Sequence, residues 1–248
     1  MTGAARGIGD AIAERLLADG ANVFSLDKVA AEEPRAGVVY LEADATDPFS
    51  VVQAFKAVDA RTDAIDILVN NAGLQRVGLV GNISFAEWSA VVATHLNGFF
   101  LCASEAVPRT VARGKGGAIV SIASTAAFVG LPGRSAYCAA KAGILGLVRA
   151  LALEVASAGI RVNAVAPGFT RTKLIEQGLA DGSLQEDWMV ARVPMKRLAT
   201  TREIANAVRY LAGDEASYVT GQTIIADGGW TVQGIPHAPT WLQTPTAD

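Results

Sequence analysis

Cysteine is scarce in this chain. Two occur in 248 residues, Cys102 and Cys138, with no C-x-x-C pair. That pattern excludes a disulfide framework and a structural zinc site, and it suits a reducing compartment. Histidine is equally rare, and His95 and His237 stand alone. A zinc ion needs three or four donors, so no metal is expected. Positive charge is not in excess either: the net charge is −3. No basic stripe is available to meet a phosphate backbone, which argues against nucleic acid as a partner. No apolar run approaches the roughly 20 residues that span a bilayer, and no charged-then-apolar leader opens the sequence. The expectation is a soluble, cytoplasmic protein with no membrane partner.

What the chain does have is alternation. Short, nearly continuous apolar runs at 22–27, 37–44, 65–71, 117–124, 160–167 and 222–229 read as strands. Continuous apolar character suits parallel strands buried on both faces. Helical patterns fill the gaps at about 7–19, 48–60, 84–112, 135–158 and 201–213. Strand–helix alternation of this kind predicts an α/β fold, a single Rossmann-type domain with a doubly wound parallel sheet. The domain is expected to span 1–230. Residues 231–248 hold three of the nine prolines and no apolar periodicity, so they read as an extended C-terminal tail.

"TGAARGIG" (2–9) places Gly3, Gly7 and Gly9 for a tight turn that opens a helix. Glycine lets backbone approach a pyrophosphate, and a helix N-terminus offers free N–H groups. Asp27 ends the next predicted strand, 20 residues past Gly7. An acid there would bind adenosine ribose hydroxyls and repel a 2′-phosphate, which favours NAD over NADP; Lys28 and Arg6 pull the other way. One element is missing: a glycine loop of this kind is launched from a central strand, and only Met1 precedes Thr2. The expectation is that a strand ending in valine belongs before Thr2, with Met1 standing where a GTG codon was read as a start. Intact mass of the protein expressed from its native locus tests this.

"AYCAAKAG" (136–143) puts Tyr137 and Lys141 four apart, on one helix face. A lysine cation there would lower the phenol pKa from about 10 and make it a usable acid/base. The pair alone also suits an ordinary solvated face. Ser124 ends the run "GAIVSIAS", at the sheet edge where open α/β folds bind ligands. Asn97, in "HLNG", lies mid-helix and is followed by glycine, a poor helical pair. It reads as a local irregularity holding a water, or as a surface asparagine. "NNAG" (70–73) follows a strand with residues small enough for a cofactor to pass.

Taken together, "TGAARGIG", "NNAG", "HLNG", "IVSIAS", "YCAAK", "PGFTRT" and "DGGW" resemble, in order and spacing, the short-chain dehydrogenases/reductases in their NAD(P)-dependent form of about 250 residues. The resemblance covers nearly the whole chain. It implies that Tyr137 is the general acid/base and that Lys141 lowers its pKa and holds the nicotinamide ribose. It implies that Ser124 polarises the substrate C–O group, and that Asn97 anchors a water joining Lys141 to solvent. Gly3, Arg6, Ile8 and Gly9 are then cofactor-loop residues, with Asp27 on the ribose. Asp44 and Ala45 flank adenine, and Asn71, Ala72 and Gly73 line the path beside the ribose. Pro167, Gly168, Thr170 and Thr172 fix the carboxamide. The resemblance also implies a homotetramer.

The substrate is less legible. Residues 170–198 are expected to cover the pocket, and Trp188 is a candidate contact there. Gln75 and Arg134 resemble substrate-carboxylate contacts of 3-hydroxybutyrate dehydrogenases in this family, but Ala126 replaces a polar residue often found there. Arg134 also reads as an exposed residue at a helix start. The expected substrate is a small polar alcohol or ketone: a sugar, polyol, sugar acid or short hydroxy acid. The rivals are an NADPH-dependent 3-oxoacyl-[acyl-carrier-protein] reductase and a non-catalytic nucleotide-sensing module or inactive truncated form.

Overall fold

A computed structural model describes residues 1–234. Its strands, β1 (Val23–Asp27), β2 (Val38–Glu42), β3 (Ile67–Asn70), β4 (Gly117–Ile122), β5 (Ile160–Pro167) and β8 (Thr223–Ala226), are all parallel. β1 pairs with β2, and β3, β4, β5 and β8 lie side by side in that order. Among the described residues, only the chain start runs between β1 and β3. Thr2 bridges Leu26 on one side and Asn70 on the other. Thr2 N donates to Val69 O at 2.9 Å and Gly3 N to Leu26 O at 3.0 Å. The rest of that central slot is a cavity of about 160 Å³ lined by Val23, Phe24, Phe55, Ile65, Ile67 and Leu68, among others. The sheet thus has the doubly wound order with its middle position filled at one end.

Alternating strand residues feed two cores. Leu68, Ile119, Val162 and Ala164 face α2 (Pro48–Asp59), α4 (Gly98–Arg113) and α5 (Ser135–Val155). Val69, Val120 and Val165 face α1 (Gly7–Ala18) and α8 (Thr201–Ala212). The helices begin where the sequence supplies caps. Asp47 accepts from Phe49 N and Ser50 N with Pro48 next to it, and α8 opens on a capping box of Thr200 and Glu203. α3 (Phe85–Val92) has the same box in Ser84 and Glu87. It runs through a π-turn, Ala93–Asn97, into α4, which ends at Gly114 with φ +70°. This 29-residue stretch is long and apolar enough to cross a bilayer by length and composition, a correction to the expectation that no such run exists. Its Phe99, Cys102, Ala103 and Ala106 are buried in the first core, as in an ordinary core helix. Beyond β5 come elements absent from the sequence reading: the short pair β6 (Thr170–Arg171) and β7 (Ala199–Thr200), α6 (Lys173–Ala180) and α7 (Glu186–Val190). The expected tail lies, from residue 235 onward, outside the described residues.

Candidate active site

The glycine loop crosses the C-terminal edge of the sheet. Gly3 has φ +74°, and a Cβ there would press on the Ala72 backbone at 3.0 Å. A Cβ on Gly9 would come within 1.9 Å of Gly3 O. Neither position tolerates a side chain, so the loop keeps a bare concave backbone. The loop is pinned to the end of β3. Asn71 Nδ2 donates to Thr2 O at 3.2 Å and Gly3 O at 2.7 Å, while Asn71 N and Ala72 N donate to Thr2 Oγ1 at 3.1 and 3.0 Å. No side chain caps α1, which leaves its first N–H groups to a ligand. Arg6 is exposed and Ile8 half-buried beside them.

The acids take different posts. Asp27 Oδ1 accepts from Ala5 N at 3.3 Å, and its Oδ2 accepts from the Ser25 hydroxyl. Asp44 accepts from Lys28 Nζ at 2.6 Å and from Thr46 N and Oγ1 at 2.9 and 2.7 Å. Lys28, first, and the Thr46 bonds hold the Asp44 carboxyl at about 2. Ala45 packs against the start of α4, its carbonyl 3.2 Å from where a Gly98 Cβ would stand. Across the crevice, Pro167 ends β5 and Gly168 N donates to Ala226 O at 2.9 Å. Thr170 Oγ1 donates to Gly168 O at 3.1 Å, and Thr172 caps α6 by accepting from Ile175 N. The Thr172 methyl is 3.8 Å from the place of a Gly7 Cβ, so the two walls face each other. A cradle that a Cβ would fill, an uncapped helix start and a carboxylate at the strand end fit a dinucleotide.

Ser124, Tyr137 and Lys141 converge at one end of this crevice. Ser124 leaves β4 and accepts from Ala126 N at 3.1 Å. Its side chain and that of Gln75 lie in hydrogen-bonding reach of the Tyr137 phenol oxygen. Burial raises the phenol pKa above its ordinary value; Ser124, Gln75 and the Arg134 charge oppose that without overcoming it. Lys141 is buried, donates to Ile122 O at 2.6 Å and lies 5.5 Å from the Tyr137 ring centre. Burial pulls it down to about 7. The expected lowering of the phenol pKa is therefore not seen in the protein alone, because enclosure weakens both the phenolate and the lysine cation that would support it.

Asn97 lies in a disrupted helix: the expected irregularity is present as the π-turn, a feature frequent at functional sites. Asn97 itself is exposed, and the side chain of this turn that faces Tyr137 is His95. The His95 ring meets Tyr137 edge-on with centroids 5.3 Å apart. Its Nε2 is 2.8 Å from Leu74 O. Sequence reasoning dismissed His95 as a lone histidine; its place two residues before Asn97 in the same disrupted helix was the available signal. Gly73 gives way to the imidazole, since a Cβ there would lie 2.8 Å from His95 Cε1. Arg134, at the start of α5, donates to Gln75 Oε1, so the two substrate candidates do meet beside the phenol. Trp188 is half-exposed, under the Arg192 guanidinium at 3.9 Å and edge-on to Phe169 at 6.0 Å. Phe169 in turn stacks on Trp230 at 4.7 Å, an aromatic group that the sequence reading missed.

A dinucleotide cradle beside a buried lysine, a phenol and a serine hydroxyl defines an NAD(P)-dependent oxidoreductase acting on CH–OH groups. Comparison with known proteins narrows the class. Residues 3–231 match the family model described as enoyl-(acyl carrier protein) reductase. The chain is 42% identical over 238 residues to the 3-oxoacyl-[acyl-carrier-protein] reductase of Escherichia coli K12, covering 92% of this chain and 95% of that one. It is 40% identical over 239 residues to the same enzyme of Staphylococcus aureus, covering 92% and 96%. Among solved structures, ligand-free Thermoplasma acidophilum aldohexose dehydrogenase matches with TM-score 0.88 and 32% identity over 99% of this chain and 95% of that one. ElxO with NADP bound matches with TM-score 0.88 and 28% identity over 94% and 97%. The chain belongs to the short-chain dehydrogenase/reductase family.

Proposed function

We propose that the protein transfers hydride between NAD(H) and a secondary alcohol or ketone of a small polar substrate: a sugar, polyol, sugar acid or short hydroxy acid. The observation that carries this is the polar rim on the acid/base. Gln75 lies near enough to the Tyr137 phenol to lower its pKa and accepts from Arg134, so a polar patch stands where the far end of a substrate would lie. A guanidinium fork suits carboxylate or vicinal hydroxyls. Bound nicotinamide supplies the hydride acceptor. Tyr137 takes the proton of the substrate hydroxyl, Ser124 donates to the substrate oxygen and orients it, and Lys141 holds the ribose with the donors that Ile122 does not use. In the direction of oxidation a protonated Lys141 would favour the phenolate of Tyr137.

Asp27 supports NAD over NADP, because a carboxylate at the ribose repels a 2′-phosphate. Lys28, the neighbouring cation, is engaged by Asp44. The second reading, an NADPH-dependent 3-oxoacyl-[acyl-carrier-protein] reductase, is favoured by the curated relatives at 40–42% identity. A screen with NAD and NADP against sugars, polyols, hydroxy acids and a 3-oxoacyl thioester separates them. Turnover of the thioester with NADPH alone overturns the first reading. Tyr137→Phe is expected to abolish turnover while nucleotide affinity, measured by calorimetry, changes little. Retained turnover in that variant removes the phenol from the mechanism. We further propose a cytoplasmic homotetramer; both cysteines are free thiols, as a reducing compartment keeps them.

A further inference from the structure

Where β3 and β4 meet the π-turn, four buried polar atoms have no partner in the fold: Asn70 Nδ2 and Oδ1, Ser121 Oγ and His95 Nδ1. Native interiors leave few such groups, and those that remain are commonly met by internal water. These residues line a single cavity of about 10 Å³, with Thr2, Gly98 and Ile122 among its other walls. That volume is about the space one water needs, and the walls supply the two to four polar partners such a water takes.

The His95 ring fixes which bond its free nitrogen can make. Nε2 stands 2.8 Å from Leu74 O and 3.2 Å from Leu74 N. Leu74 N–H also points at Nε2, which cannot accept from it and donate to Leu74 O at once; the shorter contact, to the carbonyl, favours the proton on Nε2. Nδ1, buried and without a partner, is then a bare lone pair on a residue that lines the cavity. Enclosure, first, and the Lys141 charge both oppose the imidazolium, and the pKa falls to about 3. Neutral histidine with an acceptor nitrogen in a polar void calls for a donor.

We propose that one internal water fills this cavity, donating to His95 Nδ1 and accepting from Ser121 Oγ with the Asn70 amide as its third partner, and that His95 so held is a positioning residue for Tyr137. The line of contact is continuous. The water fixes the imidazole, and Nε2 grips the Leu74 backbone. The next residue, Gln75, accepts from Arg134 and lies near enough to the phenol to lower its pKa. The ring edge braces the Tyr137 ring at 80°. The positioning half rests on the reading of Tyr137 as acid/base; the water half does not.

Three measurements on the full chain test this. A crystal structure at a resolution that orders solvent is expected to show a water within hydrogen-bond distance of His95 Nδ1 and Ser121 Oγ; an empty cavity overturns the proposal. Nitrogen NMR of ¹⁵N-histidine protein is expected to show His95 neutral, with its proton on Nε2, from pH 8 to pH 5. An Nδ1–H tautomer, or titration near an ordinary histidine value, overturns it. In kinetics with a turned-over alcohol, His95→Leu is expected to lower kcat about 10- to 100-fold with nucleotide KM unchanged, as a small misplacement of the acid/base would. His95→Gln, which keeps an amide to grip Leu74 O, is expected to stay within a few-fold of the parent. Full kcat in His95→Leu, or His95→Gln as impaired as His95→Leu, removes the positioning role. If His95→Leu does not fold, His95→Gln and the NMR decide. If Tyr137→Phe keeps its turnover, the reading of the phenol fails while the water and the tautomer are judged on their own.

Discussion

Lys141 shows, at the scale of one side chain, how use competes with stability. It is buried with a single acceptor, Ile122 O, and enclosure pulls its pKa to about 7 from 10.5. Between those values the unfolded chain binds a proton that the folded one does not. Stability therefore rises with pH from about 7 towards 10.5, and is lowest where the lysine is charged in both states. Lys141→Met is expected to unfold later in urea at pH 7 by about 1–4 kcal/mol, with that rise flattened and turnover gone. Equal stability of the two proteins at pH 7 would show that the site is more solvated than its geometry implies. Asp27 gives the corresponding test for the nucleotide. Its carboxylate is already aimed by Ser25 and Ala5 N. Asp27→Ala is expected to weaken NAD binding about 10- to 100-fold, as loss of a charged hydrogen bond does, and to narrow or reverse the ratio of NAD to NADP affinity. An unchanged ratio, measured by nucleotide titration, would move the source of selectivity elsewhere.

Elements with a strong apolar period were legible in the sequence to within a few residues. β5, read as 160–167, is that strand, because Ile160, Val162, Ala164 and Ala166 feed one core while Val165 feeds the other. The long helix read as 84–112 also stands, but its π-turn rotates the register by one residue in mid-helix. The Asn97–Gly98 pair signalled that turn, but a period of 3.6 cannot show which of its side chains turns inward, and His95, read as a lone histidine, was overlooked. The short β6–β7 pair and α6 and α7 escaped because two- to eight-residue segments rest on tertiary pairing rather than on pattern. The glycine loop was legible because Gly3 and Gly9 answer to contacts no other residue satisfies. The slot between β1 and β3 is continuous with Met1–Gly3 and bordered by two parallel strands. An extension of five or six β-branched residues ahead of Met1 is expected to enter it as a parallel strand. It would pair backbone groups on both sides, fill the cavity and raise Tm by about 5–10 °C. An unchanged Tm, read by calorimetry, would mean the two neighbouring strands do not accept a third between them.

For the whole molecule, the placement of apolar surface decides how copies associate. α4 and α5 pack on the same side of the sheet, and each presents large apolar side chains outward. Phe100 and Val111 of α4 are 56% and 46% exposed, and Leu153 of α5 is 84% exposed. We propose that these exposed apolar side chains on neighbouring helices serve association between copies of the chain. Closed symmetric oligomers are the ordinary use of such faces, and a stable pairing needs about 800 Å² from each partner. The expected mass in solution is about 103 kDa, four times 25.7 kDa. Phe100→Asp with Leu153→Glu places charge where copies would bury these side chains, so light scattering is expected to find smaller species. The crevice opens at the C-terminal edge of the sheet, and the glycine cradle is built from Gly3, Gly9, Asn71 and Thr172, while Lys141 on α5 stands near the opposite end of that helix from Leu153. Splitting the assembly is therefore expected to leave NAD affinity within a few-fold while lowering Tm. A parent protein that runs as a monomer would refute the surface reading, and a split form that loses NAD would show that the cradle depends on a neighbouring copy.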